Sequence, residues 1–284
     1  MSSFKDLKKN RMSNLDFLTK QIEKLAEKPS YEDDRIWKCE RDKSGNGYAV
    51  IRFLPAGQNE DVPWVQMWSH GFKGLGGWYI ENSLTTLGKD DPVSKANTAL
   101  WNSGIESDKN IARDRKRKLS YYSNILVLED SANAENEGNV FLFRYGKKIF
   151  EKITGVMNPE FKDETPMNPF DFWEGANFKI KIRQVDGYAN YDKSEFSSQT
   201  KLFDGDDSKC ETIWKQQYLL QELISSDNFK SYQELEARFN TVVGSGSLHE
   251  DNIETSEAEN FKNDSSDEVS TDNSLEYFKK LAEQ

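Results

Sequence analysis

The sequence predicts an α+β protein with a β-rich core. Short apolar or alternating segments bounded by turn residues fill the middle of the chain, and apolar residues at helical spacing lie toward both ends. The hydrophobic fraction is only 36%, but 7 Trp, 11 Tyr and 17 Phe supply bulky side chains for a core. A length of 284 residues allows one large domain or two small ones.

The first predicted element is an amphipathic helix near the N-terminus. Leu15, Leu18, Ile22 and Leu25 recur at spacings of three and four, and Pro29 ends the pattern. A basic leader precedes this helix. The apolar face of the helix needs a surface to lie on, either in its own domain or on a neighbour.

Six strands and three helices are predicted after it. The clearest strand alternates apolar residues with Lys179, Lys181 and Arg183, so it buries one face and presents a basic row on the other. The glycine-rich run 73–77 reads as a connection between two strands. The predicted strands are 48–54, 64–68, 78–81, 124–128, 140–145 and 178–183, and the predicted helices are 147–156, 209–225 and 231–242.

The last 40 residues are strongly acidic. Residues 245–284 contain 11 Asp or Glu and three Lys, a net charge of −8 out of −11 for the whole chain. Such a polar segment cannot bury enough surface to offset its ordering entropy, so it is predicted to be disordered. Leu275, Phe278 and Leu281 predict either a short amphipathic helix formed on a partner or a frayed end.

One segment opposes this acidic background. Residues 109–122 contain six basic residues and one acidic residue, a local charge of +5, and end in Tyr121 and Tyr122. Cations that neutralise phosphates, next to rings that stack on bases, are what binding single-stranded nucleic acid requires. The alternative is a solvated basic loop beside two core tyrosines.

The usual enzyme and metal patterns are missing from the sequence. It has no GxGxxG and no Walker-type motif, and its two histidines, His70 and His249, form no nucleophilic constellation. Cys39 and Cys210 are the only cysteines, which fits a reducing, cytosolic setting. No apolar run approaches the roughly 20 residues that span a bilayer, and the N-terminus lacks the apolar stretch of a signal peptide.

The sequence therefore fits a protein that binds single-stranded nucleic acid better than it fits an enzyme. Arg52 lies in an apolar strand, so it either pairs internally or faces a binding groove, and Trp64, Trp68, Trp173 and Trp214 are predicted to be buried. The candidate cations are Arg52, Arg115, Lys116, Arg117, Lys118, Arg144, Lys147, Lys148, Lys179, Lys181 and Arg183. The candidate stacking rings are Trp78, Tyr79, Trp101, Tyr121, Tyr122, Phe143, Tyr145, Tyr188 and Tyr191.

Several blocks of the chain resemble a known family, the single-stranded-DNA-binding (helix-destabilising) proteins of T-even-type bacteriophages. The first is Gly-Asn-Gly-Tyr-Ala-Val-Ile-Arg-Phe-Leu-Pro at 45–55. The others are 70–73, 78–81, 116–121, 124–127, 135–138, 146–149, 173–178 and 187–191. The resemblance runs in order through residues 1–243, and the tail matches in acidic character only.

The resemblance implies an architecture and a role. It implies an OB-fold barrel at 29–244 with an inserted subdomain at about 64–120 and peripheral helices, a basic arm at 1–28 for cooperative contact between neighbours, and an acidic tail at 245–284. The tail would recruit replication and recombination proteins, in DNA replication, recombination and repair in the host cell cytoplasm. The family's basic motif is present in the core at 116–120, with Leu119 in place of a hydroxyl residue, and its self-association copy is degraded to Lys8, Lys9, Arg11 and Ser13.

The resemblance also implies a zinc site that this chain alters. Members of the family use one histidine and three cysteines; His70 matches the histidine, but Ser83, Asp91 and Ser94 stand at the cysteine positions. Hydroxyls are poor zinc ligands, so we expect no structural zinc and no other cofactor.

Three other functions compete with this one. The first is an RNA-binding translational regulator that uses the same groove, because the sequence does not exclude ribose contacts. The second is a nuclease with an unrecognised carboxylate site. The third is a scaffold whose basic patch meets acidic proteins.

Overall fold

The computed structural model of the protein describes residues 33–244. By its internal contacts the chain divides into two compact units, 1–36 and 37–284. In the described part of the first unit, the Arg35 guanidinium forms a fork on the Asp33 carboxylate, with Nη2 2.7 Å from Oδ2. The predicted N-terminal helix and the acidic tail lie outside the described residues.

The described residues form nine strands and six α-helices. The strands are β1 (Ile36–Trp37), β2 (Gly47–Phe53), β3 (Val65–Gly74), β4 (Gly77–Asn82), β5 (Lys118–Asp130), β6 (Val140–Tyr145), β7 (Ala176–Val185), β8 (Tyr188–Asn190) and β9 (Glu195–Gln199). The helices are α1 (Pro92–Asn102), α2 (Glu106–Asp114), α3 (Lys147–Met157), α4 (Asp207–Lys215), α5 (Leu220–Leu223) and α6 (Tyr232–Val243). The predicted α+β class with a β-rich core is confirmed.

Two long strands organise the sheet. The strand β5 pairs antiparallel with β2, β3 and β6, and β7 pairs antiparallel with β2, β8 and β9. The main strand order β6-β5-β2-β7-β8 is an open path in the described residues. The closed barrel of an OB-fold therefore stays a prediction.

The main core lies on one face of this sheet and is rich in aromatic rings. Phe53 of β2 is at its centre, 5.7 Å from both the Tyr145 and the Phe178 ring centroids. Ile51 and Ile180 are fully buried beside it, as the alternation along β2 and β7 requires. Edge-on and tilted ring contacts of this kind add to the free energy gained by burying apolar area.

A separate apolar cluster joins the β3–β4 hairpin to α1 and α6. Its centre is Phe72 and Tyr79, whose ring centroids are 5.1 Å apart, with Phe239 of α6 packed edge-on against both. The hairpin is tighter than the predicted glycine-rich connection, since β3 continues to Gly74 and β4 begins at Gly77. Glycine is needed there because a Cβ on Gly74 or Gly76 would overlap main-chain oxygens of α6.

The structure corrects one predicted helix. Residues 209–225 are not continuous: α4 ends at Lys215 and α5 begins at Leu220. Tyr218 lies between these two helices. The buried side chain of Asn124 on β5 donates to the Tyr218 carbonyl oxygen (2.8 Å) and accepts from the Tyr218 amide (2.9 Å). These two bonds satisfy the main-chain groups of Tyr218 outside a helix, so the chain turns there.

Helices α1 and α2 were not predicted from the sequence, and strands β3 and β5 are longer than predicted. The signal for α1 was present, because Asp91 caps it and Pro92 is its first residue. Strand β5 runs from Lys118 to Asp130 rather than over 124–128, and β3 extends to Gly74. The alternation that marks a half-exposed strand is weak in β5, where nine consecutive residues from Ser120 to Leu128 are buried or half-buried.

Candidate nucleic-acid interface

The basic segment, which is Arg115, Lys116, Arg117 and Lys118, links the end of α2 to the start of β5. Lys116 is exposed, and the Arg117 guanidinium carbon lies 4.1 Å from the centroid of the Trp68 ring. Arg115 instead packs over Phe72 (5.4 Å) and Phe239 (5.6 Å), and burial lowers the pKa of its guanidinium. Arg115 therefore has a packing role, while Lys116 and Arg117 lie toward solvent.

Beyond the basic segment lies a row of three rings and one leucine from β3, β5 and α3, which we call the aromatic strip: Trp68, Leu119, Tyr121 and Phe150. Leu119 lies opposite Trp68 on β3, and Tyr121 follows on the same face of β5. Phe150 of α3 stacks on Tyr121, with centroids 3.8 Å apart and planes 9° apart. Trp68, Leu119 and Phe150 are half-buried, but Tyr121 is buried, so Phe150 occupies the ring face that a base would need.

The two adjacent tyrosines point to opposite faces of β5. Tyr121 belongs to the aromatic core cluster, whereas Tyr122 lies opposite Val65 and Arg144 on the other face. Arg144 Nε donates to Ser120 Oγ at 3.1 Å on that same face. Tyr122 and Arg144 therefore do not share a surface with the aromatic strip. Tyr122 is also buried, which corrects its inclusion among the stacking rings.

Arg52 pairs internally, which corrects its inclusion among the groove cations. It is fully buried, and its Nη2 donates to the carbonyl oxygens of Asp171 (2.7 Å) and Thr200 (2.9 Å). Its Nη1 donates to Asn177 Oδ1 at 3.2 Å. A charged donor fork satisfies several carbonyl oxygens at once, so Arg52 holds the segments around β7 and β9 against β2.

Three predicted stacking rings also lie in the interior. Tyr79 is fully buried against Phe72, and Phe143 and Tyr145 belong to the aromatic core. The Tyr145 hydroxyl is 2.9 Å from Ser123 Oγ, and burial raises the pKa of that tyrosine. These three rings have no face open to a base because the sheet and α6 cover them.

The basic row of β7 is partly neutralised by carboxylates. Lys181 Nζ is 2.7 Å from Glu195 Oε1, and the Arg183 guanidinium pairs with the Asp192 carboxylate. These contacts lower the pKa values of Glu195 and Asp192. Lys179 is half-buried on the same face. An ion pair already made reduces what these cations offer to a phosphate.

The remaining predicted residues are spread over several elements. Tyr188 is 40% exposed at the start of β8, and Tyr191 packs against the aromatic core near α3, whose Lys152 donates to the Asp192 carbonyl oxygen at 3.0 Å. Lys147 Nζ lies 3.5 Å from Glu151 on α3. Helix α3 thus contacts both Tyr121 and the turn that carries Tyr191.

Two tryptophans predicted to stack on bases are partly exposed, and one predicted to be buried is not. Trp78 is half-buried on β4, opposite Lys73. Trp101 is about half exposed at the end of α1, with the Arg113 guanidinium 5.4 Å from its ring centroid. Trp173, which was predicted to be buried, is 48% exposed and donates to Asp207. The sequence also gave no reason to choose Trp68 and Phe150, because only the tertiary contacts place them beside Arg117 and Tyr121.

The positions that match the family's zinc ligands meet in space. His70 Nε2 lies 3.3 Å from Asp91 Oδ1 and 3.4 Å from Ser94 Oγ, and Ser83 Oγ donates to Asp91 Oδ2 at 3.0 Å. This donor set does not fit zinc, because two donors are neutral hydroxyls and both carboxylate oxygens are occupied by N–H and O–H groups. Within residues 33–244 no three His, Cys, Asp or Glu side chains form a group suited to a metal ion.

Over the described part of the chain, none of the helices combines the length and the apolar character required to cross a bilayer.

Comparison with known proteins identifies the family of the chain. A family described as gp32 DNA binding protein like matches residues 45–243, and the chain belongs to that family. A single-stranded DNA-binding protein of Enterobacteria phage T2 is 41% identical over 236 residues, covering 81% of this chain and 78% of the relative. The protein of the same description from Enterobacteria phage T4 is 42% identical over 217 residues, covering 76% of this chain and 72% of the relative.

Proposed function

We propose that this protein binds single-stranded DNA with little sequence preference. The observation that carries the proposal is the contact of Arg117 with Trp68, beside exposed Lys116 and at the head of the aromatic strip. The names of the T2 and T4 relatives support it. Family membership favours DNA binding over the scaffold and the nuclease, and no catalytic step is assigned.

The physical basis of binding is electrostatic and aromatic. Lys116 and Arg117 release counterions when they meet phosphates, so binding weakens steeply with salt. Half-buried rings accept any base because every base has a π-face, and each stack contributes about 1–3 kcal/mol. In the observed conformation Trp68 and Phe150 are the strip's accessible rings, and Tyr121 supports Phe150 from below.

The wider role that we propose is to coat and protect single strands during phage DNA replication, recombination and repair in the host cell cytoplasm. Residues 1–28, with Lys8, Lys9, Arg11 and Ser13, would mediate contact between neighbours on the strand. The tail 245–284 would recruit replication and recombination proteins. An OB-fold barrel is the architecture we infer for the core, supported by a sheet whose one face encloses a single aromatic cluster.

The test is titration of the full chain with oligo-dT at several salt concentrations, with tryptophan fluorescence as the readout of binding. We expect the double variant K116Q/R117Q to bind about tenfold or more weakly at low salt. Its slope of log K against log salt should be shallower by about 1.4, since each phosphate contact to a single strand contributes about 0.7. The matched control is R41Q/K43Q, which removes two exposed cations from the β1–β2 loop.

Several outcomes would contradict the proposal. If the slope of log K against log salt is the same in K116Q/R117Q as in the wild type, the basic segment does not contact the phosphates. Equal affinity of the wild type for duplex and single-stranded DNA would contradict single-strand binding. A clear preference for an RNA oligomer of the same sequence would support the translational regulator instead.

A further inference from the structure

A buried polar network lies between the β3–β4 hairpin and the start of α1. It consists of His70, Ser83, Asp91 and Ser94, of which the first three are at most 2% exposed. Asp91 is its centre: Oδ1 accepts from the Ser94 amide (3.0 Å), and Oδ2 accepts from Ser83 Oγ (3.0 Å) and the Leu84 amide (3.2 Å). Fully connected buried networks of this kind hold their members in one arrangement.

The network is joined to the first residue of the basic segment. His70 Nδ1 donates to the main-chain carbonyl oxygen of Arg115 at 2.9 Å, and Asn97 Nδ2 of α1 donates to the same oxygen at 3.0 Å. Two donors on one carbonyl fix where α2 ends and in which direction the chain leaves it.

A second connection reaches Arg117 through β3. The Ser83 amide donates to the Trp68 carbonyl oxygen at 2.8 Å, and the Trp68 ring lies under the Arg117 guanidinium. The basic segment is therefore held at Arg115 by its main chain and at Arg117 by a ring whose strand is tied to Ser83.

The chemistry of His70 explains why Asp91 is suited to this position. Because Nδ1 donates to a carbonyl oxygen, it carries a proton, and Nε2 faces the Asp91 carboxylate. Nε2 also lies 3.4 Å from Ser94 Oγ, so the ring contacts two residues at the start of α1. Such a ring bridges α1 to the Arg115 main chain without a metal ion.

We propose that His70, Ser83, Asp91 and Asn97 are positioning residues for the basic segment and that they act without zinc. The donor set described above does not fit zinc, yet it links the same three chain segments that a bound ion would link. This inference rests on the proposed function, because its consequence is measured as affinity for single-stranded DNA.

The first test uses Asp91→Asn and Asn97→Ala in the full chain. Asp91→Asn should weaken binding to oligo-dT about tenfold and make the salt slope shallower toward that of K116Q/R117Q, because the cations lose their fixed spacing. Asn97→Ala leaves the His70–Asp91 contact intact and removes one donor to the Arg115 carbonyl oxygen, so about a threefold loss is expected. Asp90→Asn, at an exposed neighbouring position, is the matched control and should bind like the wild type.

The salt slope separates positioning from mere loss of stability. A variant that is only less stable lowers the active fraction but keeps the slope of the molecules that bind. If Asp91→Asn and Asn97→Ala are folded by circular dichroism and retain both the wild-type affinity and the wild-type slope, the positioning role is wrong. If the wild type itself does not bind oligo-dT, the proposed function fails first.

The second test addresses the metal. The thermal midpoint and the oligo-dT affinity of the wild type should not change with EDTA or with added Zn²⁺, and metal analysis should find far less than one zinc per chain. Stoichiometric zinc, or a chelator-induced fall in either measurement, would overturn the inference. The triple variant S83C/D91C/S94C should acquire a tetrahedral Co²⁺ spectrum with His70, and its failure to bind Co²⁺ would contradict the convergence of these four positions.

Discussion

At the scale of single residues, two arginines of this protein show how surroundings decide a role. Arg52 is fully buried and makes charge-assisted hydrogen bonds to carbonyl oxygens, so replacing it would leave several acceptors unpaired. Arg117 is half-buried over a tryptophan ring and keeps its charge near solvent. The same side chain stabilises the fold at the first position and is proposed to meet phosphate at the second.

Asp130 is a carboxylate whose hydrogen bonds make stability depend on pH. Burial raises the pKa of Asp130, but bonds from Asn136 and Trp37 outweigh it and hold the pKa below its usual range; Trp37 Nε1 lies 2.9 Å from Oδ2. A depressed pKa means that the stabilisation is complete above the unfolded value of about 3.9 and is lost as pH falls through the folded value.

We therefore expect Asp130→Asn to lower the free energy of unfolding at pH 7 by about 1–3 kcal/mol. In urea unfolding, the difference from the wild type should shrink as pH falls below about 4, where the unfolded carboxylate binds a proton, and through the lower pKa of the folded carboxylate. Glu129→Gln, at the exposed neighbour, should change the free energy by less than about 0.5 kcal/mol. A difference that stays constant between pH 7 and pH 3 would contradict this account.

At the scale of elements, β5 connects the proposed binding surface to the core. Its first residues continue the basic segment, its middle packs into the aromatic core through Tyr121 and Ile125, and Asn124 interrupts the region between α4 and α5. A single strand thus links the proposed phosphate contacts to the most buried part of the molecule, so the basic segment has a rigid support.

The docking of α6 depends on two glycines of the β3–β4 hairpin. The Gly76 amide donates to the Val242 carbonyl oxygen at 2.9 Å, and a methyl group on Gly76 would overlap the Thr241 carbonyl oxygen. Gly155 of α3 is the opposite case, since a Cβ there meets no atom within 4 Å.

Gly76→Ala should therefore destabilise the protein by about 1–3 kcal/mol, because α6 must move away from the hairpin. Gly155→Ala should stabilise it by about 0.5–1 kcal/mol, because glycine in a helix interior loses more backbone entropy on folding. Thermal and urea unfolding of the two variants test both signs. Equal effects would show that close approach to α6 is not what requires glycine at position 76.

At the scale of the whole molecule, charge is divided between the parts of the chain. Residues 1–244 have a net charge of −3, and residues 245–284 have a net charge of −8. An acidic segment in the same chain as a basic surface competes with nucleic acid for that surface, and salt screens the competition.

Deletion of residues 245–284 should therefore tighten binding to oligo-dT at low salt, and the gain should disappear near 1 M salt, where the Debye length is about 3 Å. Deletion of residues 275–284 alone is a control of unchanged net charge, since that segment has two acidic and two basic residues. We expect this shorter deletion to leave the affinity unaltered. Unchanged affinity after the full deletion would exclude competition by the tail.

The sequence by itself determined the α+β class, the approximate positions of six strands, the helix α6 and the segregation of charge. These properties are local: periodicity sets which side of a strand is apolar, and Ser231 with Glu234 forms a capping box within one helical turn. Family membership was also readable, because it depends on the order of residues.

Only the tertiary structure decided which rings and cations remain accessible. Periodicity tells which face Tyr79, Tyr145 and Arg52 occupy but not what covers that face, and covering elements come from distant parts of the chain. The same reason explains why the helix predicted over 209–225 is interrupted at Tyr218, whose hydrogen-bond partner Asn124 lies 94 positions away in the sequence. It also explains why His70, Ser83, Asp91 and Ser94 form one network. Long-range packing, which has no local signature, sets the accessible surface.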